Sequence, residues 1–79
     1  MLTRYVDKAL RRAQYRPLED GSYCATVRGL KGVIATGTTL EACRDQLAEV
    51  VEEWVLVRVS QGLGVPALDG AVVRIRRAS

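Results

Sequence analysis

Glycine and proline are unevenly placed along this chain. Neither occurs in residues 1–16 or 38–61, whereas 17–37 carries Pro17, Gly21, Gly29, Gly32 and Gly37, and 62–70 carries Gly62, Gly64, Pro66 and Gly70. These residues punctuate turns and interrupt helices. Long helices are therefore confined to the first and third of these stretches, and the second is cut into pieces fit only for short strands. Seventy-nine residues close one hydrophobic core, so all of these pieces must share it.

Within the first stretch Leu2, Tyr5, Val6, Ala9, Leu10 and Ala13 follow the three-and-four spacing of an amphipathic helix. Pro17 cannot continue it and biases Arg16 to extended geometry, which predicts a helix over 1–14. Residues 15–18 and 23–27 are β-prone and flank Glu19-Asp20-Gly21-Ser22, where Asp-Gly suits a tight hairpin. Gly29 and Gly32 bracket a second turn before a third run over 33–36. The prediction is a three-stranded antiparallel meander.

Thr38 and Glu41 have capping-box spacing, with the hydroxyl and the carboxylate each reaching the other's backbone N–H, so a long helix is predicted from here to Gly62. Its expected core seam is Leu40, Cys43, Leu47, Val50, Trp54 and Val57. A second apolar line, Ala48, Val51, Val55 and Val59, fits either a wide core contact or a self-association face. The β-branched run 54–59 is read as helix because the periodicity passes through it unbroken. Residues 71–76 alternate Val73 and Ile75 with Arg74 and Arg76 and are expected to form a last strand. The predicted fold class is α+β: helix, meander, long helix, final strand.

Composition narrows function mainly by exclusion. With 48% apolar and 27% charged residues the chain has the make-up of a folded globule. No apolar run is long enough to span a membrane and no signal-peptide h-region is present, so a cytoplasmic location is expected. Cys24 and Cys43 are expected to be buried free thiols. Without histidine, a zinc site would need carboxylates and two unlinked thiols, so no metal and no cofactor are expected. Gly29, Gly32 and Gly37 precede no Lys-Ser or Lys-Thr, and no nucleophile elbow occurs. The expectation is a binding domain rather than an enzyme. A core of this size supplies only about 3–5 kcal/mol, which favours a homodimer or higher homo-oligomer.

Charge is segregated. Glu41, Asp45, Glu49, Glu52 and Glu53 run along the long helix, while Arg4, Lys8, Arg11, Arg12, Arg16, Arg74, Arg76 and Arg77 gather toward the ends, for a net charge of +3. Both sets read as ordinary solvated faces, or else as an acidic face for a basic partner and a basic helix for nucleic acid.

The run Glu19-Asp20-Gly21-Ser22-Tyr23, followed by Leu30-Lys31-Gly32-Val33-Ile34-Ala35-Thr36-Gly37-Thr38-Thr39-Leu40-Glu41, resembles the HicB-like antitoxin family. Trp54 and the Gly62 to Pro66 connection look like that family's aromatic helix end and Gly-x-x-x-Pro segment. Lys31, Val33, Thr38 and Ala42 stand where the family more often has Pro, Cys, Asp and Glu. Its matching motif positions are Gly21, Tyr23, Leu30, Gly32, Gly37, Thr38, Leu40, Glu41 and Trp54. The resemblance spans about 15–76 and divides the chain into an added helix, 1–14, and a HicB-like domain, 15–79. It implies a truncated ribonuclease H-like fold used as a platform, since no Asp or Glu lies between Tyr23 and Gly37 to hold the catalytic metal of a nuclease. It also implies a partner, a basic HicA-like mRNA interferase toxin blocked by occlusion. The DNA-binding tail of many members is expected to be absent.

Three functional expectations follow. The first is toxin binding through Glu41, Asp45, Glu49, Glu52 and Glu53. The second is a stand-alone interaction or nucleic-acid-binding domain that uses Arg4, Lys8, Arg11 and Arg12 on phosphates. The third, a remnant nuclease, is the weakest.

Overall fold

The computed structural model describes residues 2–71. The expected final strand beyond Ala71, with Val73, Arg74, Ile75, Arg76 and Arg77, lies outside the described residues. Elements run α1 (Leu2–Arg11), β1 (Ala13–Pro17), β2 (Tyr23–Val27), β3 (Ile34–Gly37) and α2 (Leu40–Ser60), a mixed α+β architecture. The strands form one antiparallel sheet in the order β1-β2-β3.

The first helix ends at Arg11, short of the predicted boundary at Gln14. After Arg12 closes the last turn onto Lys8 and Ala9, the chain is already extended at Ala13, which pairs with Val27. Ala13 and Tyr15 alternate toward the core as well as continuing the helical spacing, and the ladder with β2 decides between the two periods. Pro17 ends β1 on the strand that flanks the sheet, where its missing N–H interrupts no ladder bond.

The first hairpin is wider than Asp-Gly alone suggests. Leu18 N–H donates to Ser22 carbonyl at 2.8 Å, and only Gly21 takes positive φ, at 86°. Asp20 instead accepts from the backbone N–H of Ser22 at 2.9 Å, an Asx turn. Between β2 and β3, Leu30 N–H bonds Val27 and Val33 N–H bonds Leu30, with Gly29 and Gly32 at positive φ in the third position of each turn. That is the type II requirement. Lys31 occupies the second position of its turn, where proline also fits. The double turn tucks Leu30 and Val33 into the core.

At the start of α2 the cap is Thr39, not Thr38. Thr39 has extended backbone and its hydroxyl accepts from Ala42 N–H at 3.0 Å, so Ala42 fills the third helical position and the predicted Thr38 to Glu41 box does not form. Tertiary contact sets this phase. A Cβ on Gly37 would lie against Cys43 N, 2.7 Å from Cys43 Cα and 2.8 Å from Ala42 C, so the end of β3 packs directly on the backbone of the first helical turn.

α2 continues through the β-branched run as predicted, but its seam is rotated. The wholly buried residues are Cys43, Leu47, Val51 and Val55, while Val50 and Trp54 are half-buried and Leu40 and Val57 are 47% and 52% exposed. The helix packs against β3, β2 and α1 together, so its buried arc lies between the two expected lines. A wide core contact thus accounts for Val51 and Val55. The end of α2 is a Schellman motif: Gly62 has φ 72°, Leu63 N–H bonds Arg58 carbonyl and Gly62 N–H bonds Val59 carbonyl.

α1 shares this core. Tyr5 and Ala9 are fully buried with Leu47, Val51, Val55, Leu68 and Ala71, and the Tyr5 hydroxyl donates to the Pro66 carbonyl, tying the first helix to the connection after α2. Asp69 and Gly70, with φ 46° and 84°, then reverse the chain so that Leu68 and Ala71 exchange two backbone bonds of 3.0 and 2.7 Å. Positive φ at both central residues is the type I′ hairpin turn that Asp-Gly favours.

Candidate partner-binding surface

Helical geometry, about 100° per residue, places Glu41, Asp45, Glu49, Glu52 and Glu53 within an arc of about 120° on α2. All five are exposed. The buried seam occupies the opposite arc, so the core contact itself aims these carboxylates outward. Among the described residues the one ion pair is Arg11–Asp7, at 3.2 Å on α1, so the five α2 carboxylates have no cationic partner there.

The basic set on α1 is brought onto one arc but is less available. Arg4 is exposed, Lys8 and Arg12 are half-buried, and Arg11 is held by Asp7. Burial raises the Tyr5 phenol pKa, and the positive charges of Arg12 and Arg58 oppose that rise.

The motif residues are mostly structural. Leu30 is core, Gly21 and Gly32 hold turns, Gly37 receives α2, and Tyr23 is half-buried opposite Pro17 and Gly37. Thr38 and Leu40 are exposed, and Glu41 sits in the first turn of α2. Trp54 is a clamp: its indole N–H donates to Lys31 carbonyl at 3.1 Å, and Arg58 lies 5.0 Å above its ring while bonding Gly64 carbonyl at 2.6 Å. One pair of side chains thus anchors both the double turn and the post-helix connection.

Both cysteines are free, but only Cys43 is buried, with its thiol toward the Ala35 carbonyl and its pKa raised by desolvation and then by Cys24. Cys24 is half-buried because alternation turns it to the sheet face away from the helices, across from Arg16 and Thr36. That face holds an open depression of about 290 Å³ lined by Gln14, Tyr15, Arg16, Pro17, Cys24 and Thr26. Arg16 is the one charged residue among its lining residues. Among the described residues no three His, Cys, Asp or Glu side chains gather as metal ligands, and no helix is long and apolar enough to cross a membrane.

Sequence reasoning missed three exposed apolar residues at the end of α2. Leu56 is 55% exposed, Val57 52% and Leu63 42%. The heptad phase would have flagged Leu56, which falls on neither apolar line.

Residues 4–66 match the profile of a family described as UPF0150-like. The chain belongs to the UPF0150-like family. The match begins inside α1 and ends at Pro66. The crystal structure of TTHA0281 from Thermus thermophilus is similar to this UPF0150-like chain, with a TM-score of 0.87 and 34% identity over 96% of this chain and 95% of that one. No curated protein matches.

Proposed function

We propose that this chain is a HicB-like antitoxin-type protein that binds and occludes a HicA-like mRNA interferase toxin, using the acidic face of α2. The observation that carries the reading is that face: five exposed carboxylates on one arc, backed by a buried seam and without a cationic partner among the described residues. The motif resemblance from Glu19 to Glu41 and membership of the UPF0150-like family support it. Occlusion needs no bond-making step in this chain. A toxin that cuts mRNA acts in the cytoplasm, which is where the reading places the protein.

Co-expression with the neighbouring short gene, where that gene encodes a small basic protein with a histidine, tests the reading. The expected result is a co-purifying complex that Glu49→Lys/Glu53→Lys weakens at least tenfold. Recovery of the toxin alone, or a complex indifferent to the charge reversal, would overturn it. The basic arc of α1 gives the nucleic-acid alternative less support, because Arg11 is paired with Asp7 and both Lys8 and Arg12 are half-buried.

A further inference from the structure

We infer that Leu56, Val57 and Leu63 are the apolar anchor of the α2 docking surface, and that its occupant is a cationic amphipathic segment of the partner. This rests on the proposed function and specifies which chemistry the acidic face takes. The three residues fall at and just beyond the C-terminal end of α2. Leu56 and Val57 are consecutive in the last turns, and Leu63 follows the Schellman glycine, its N–H bonded to the Arg58 carbonyl one residue past Val57. Each is close to half exposed. Scattered apolar residues on a surface are ordinary, but exposed apolar residues at one helix end beside a charged rim have the apolar-centre, polar-rim make-up of an interface.

The rim identifies the occupant. Glu52 and Glu53 precede Leu56 by four and three residues, the spacing of direct neighbours on a helix, and Glu49 lies two turns back on the same side. The C-terminal end of the α2 dipole adds partial negative charge at the same place. Arg58 is turned away, held over Trp54 and bonded to Gly64 carbonyl. A neutral apolar segment would leave the carboxylates unpaired as the contact closes. A second copy using the same face would set two sets of carboxylates against each other, because a two-fold contact meets itself. A segment with lysine or arginine beside one or two apolar side chains satisfies both halves: its cations lie on Glu49, Glu52 and Glu53 while its apolar residue covers Leu56 and Val57.

The test titrates the full chain with two synthetic probes. One is a helical leucine-lysine peptide with leucines on one face, and the other is a lysine-glycine peptide of equal charge. The leucine-lysine peptide is expected to bind at least tenfold tighter. Leu56→Ser/Val57→Ser should abolish that advantage and leave lysine-glycine binding unchanged, and Leu56→Ala/Val57→Ala, which keeps helix propensity, should do the same. Equal affinity for both peptides, or an advantage that survives both double variants, overturns the anchor. So does a wild-type dimer that the same variants dissociate in sedimentation, since the occupant would then be a second copy. A toxin arm separates this outcome from the functional reading. Toxin that binds wild type and Leu56→Ser/Val57→Ser equally removes the anchor and leaves the antitoxin reading standing. Leucine-selective peptide binding without toxin binding does the reverse.

Discussion

Gly37 is held by contact rather than by conformation. Gly21, Gly29 and Gly32 have positive φ and open space around them, whereas a side chain at Gly37 would meet the backbone of Ala42 and Cys43, which cannot rotate aside. Gly37→Ala must push α2 off β3, and it is expected to cost about 2–3 kcal/mol, in the range of core overpacking. Gly64→Ala is the control, since nothing lies within 4 Å and its φ is not positive. It should leave stability unchanged or raise it by about 0.4–1 kcal/mol through the unfolded chain. Urea midpoints of the two variants should move in opposite directions or differ widely, and equal shifts would refute the contact. Asp20 works by charge at the same scale. Its carboxyl is held below the usual value by the hydrogen bond from the Ser22 hydroxyl and next by that from the Ser22 N–H. A carboxylate with a depressed folded pKa stabilises the fold above its unfolded value, about pH 4, and loses that contribution as pH falls through the lower folded value. The midpoint difference between wild type and Asp20→Ala should therefore be present at neutral pH and narrow as the pH falls below about 4. A gap that stays constant with pH would show that the charge plays no part.

Elements were largely legible in the sequence, and their phases were not. The glycine and proline punctuation predicted two helices around a meander, and unbroken periodicity carried α2 correctly through Val55 and Val57 despite their β-branched side chains. Phase depends on what an element packs against, and that lies elsewhere in the chain. The seam turned from Val50 and Trp54 toward Val51 and Val55 because α1 packs beside the sheet. Val57, read as core, became part of an exposed patch for the same reason. The reversal at Asp69 and Gly70 carried the same Asp-Gly signal that was read only at the first hairpin. The cap is the sharpest case, since Thr38 and Thr39 are chemically equal and only the Gly37 contact selects between them. Thr39→Ala should cost about 1 kcal/mol. Thr38→Ala, away from the helix N–H groups, should stay within about 0.5 kcal/mol. Thermal melts that rank Thr38→Ala as the worse variant would restore the predicted box.

At the scale of the whole molecule, the proposed partner and the chain's own charge pull in opposite directions. The chain carries +3, so a basic toxin would be repelled at long range, while on the proposed reading the α2 face would attract it at close range. Ionic strength sorts the two by distance. The screening length is about 30 Å at 0.01 M salt and about 8 Å at 0.15 M, so the first condition lets the toxin feel cations well outside the α2 face. Arg16 and Arg28 are exposed cations that do not belong to α2, Arg16 on the sheet face away from the helices and Arg28 on the first type II turn. Arg16→Gln/Arg28→Gln should speed association with the toxin a few-fold at about 0.01 M salt and converge on wild type at about 0.15 M. Glu49→Lys/Glu53→Lys should slow it at both, because those charges sit inside the contact, where counterions do not intervene. Stopped-flow traces at the two salt concentrations separate the cases. An arginine double variant that gains nothing at low salt, or gains equally at both, would mean that the net charge does not oppose docking, and a glutamate double variant that associates as fast as wild type would mean that the acidic face is not what draws the partner in.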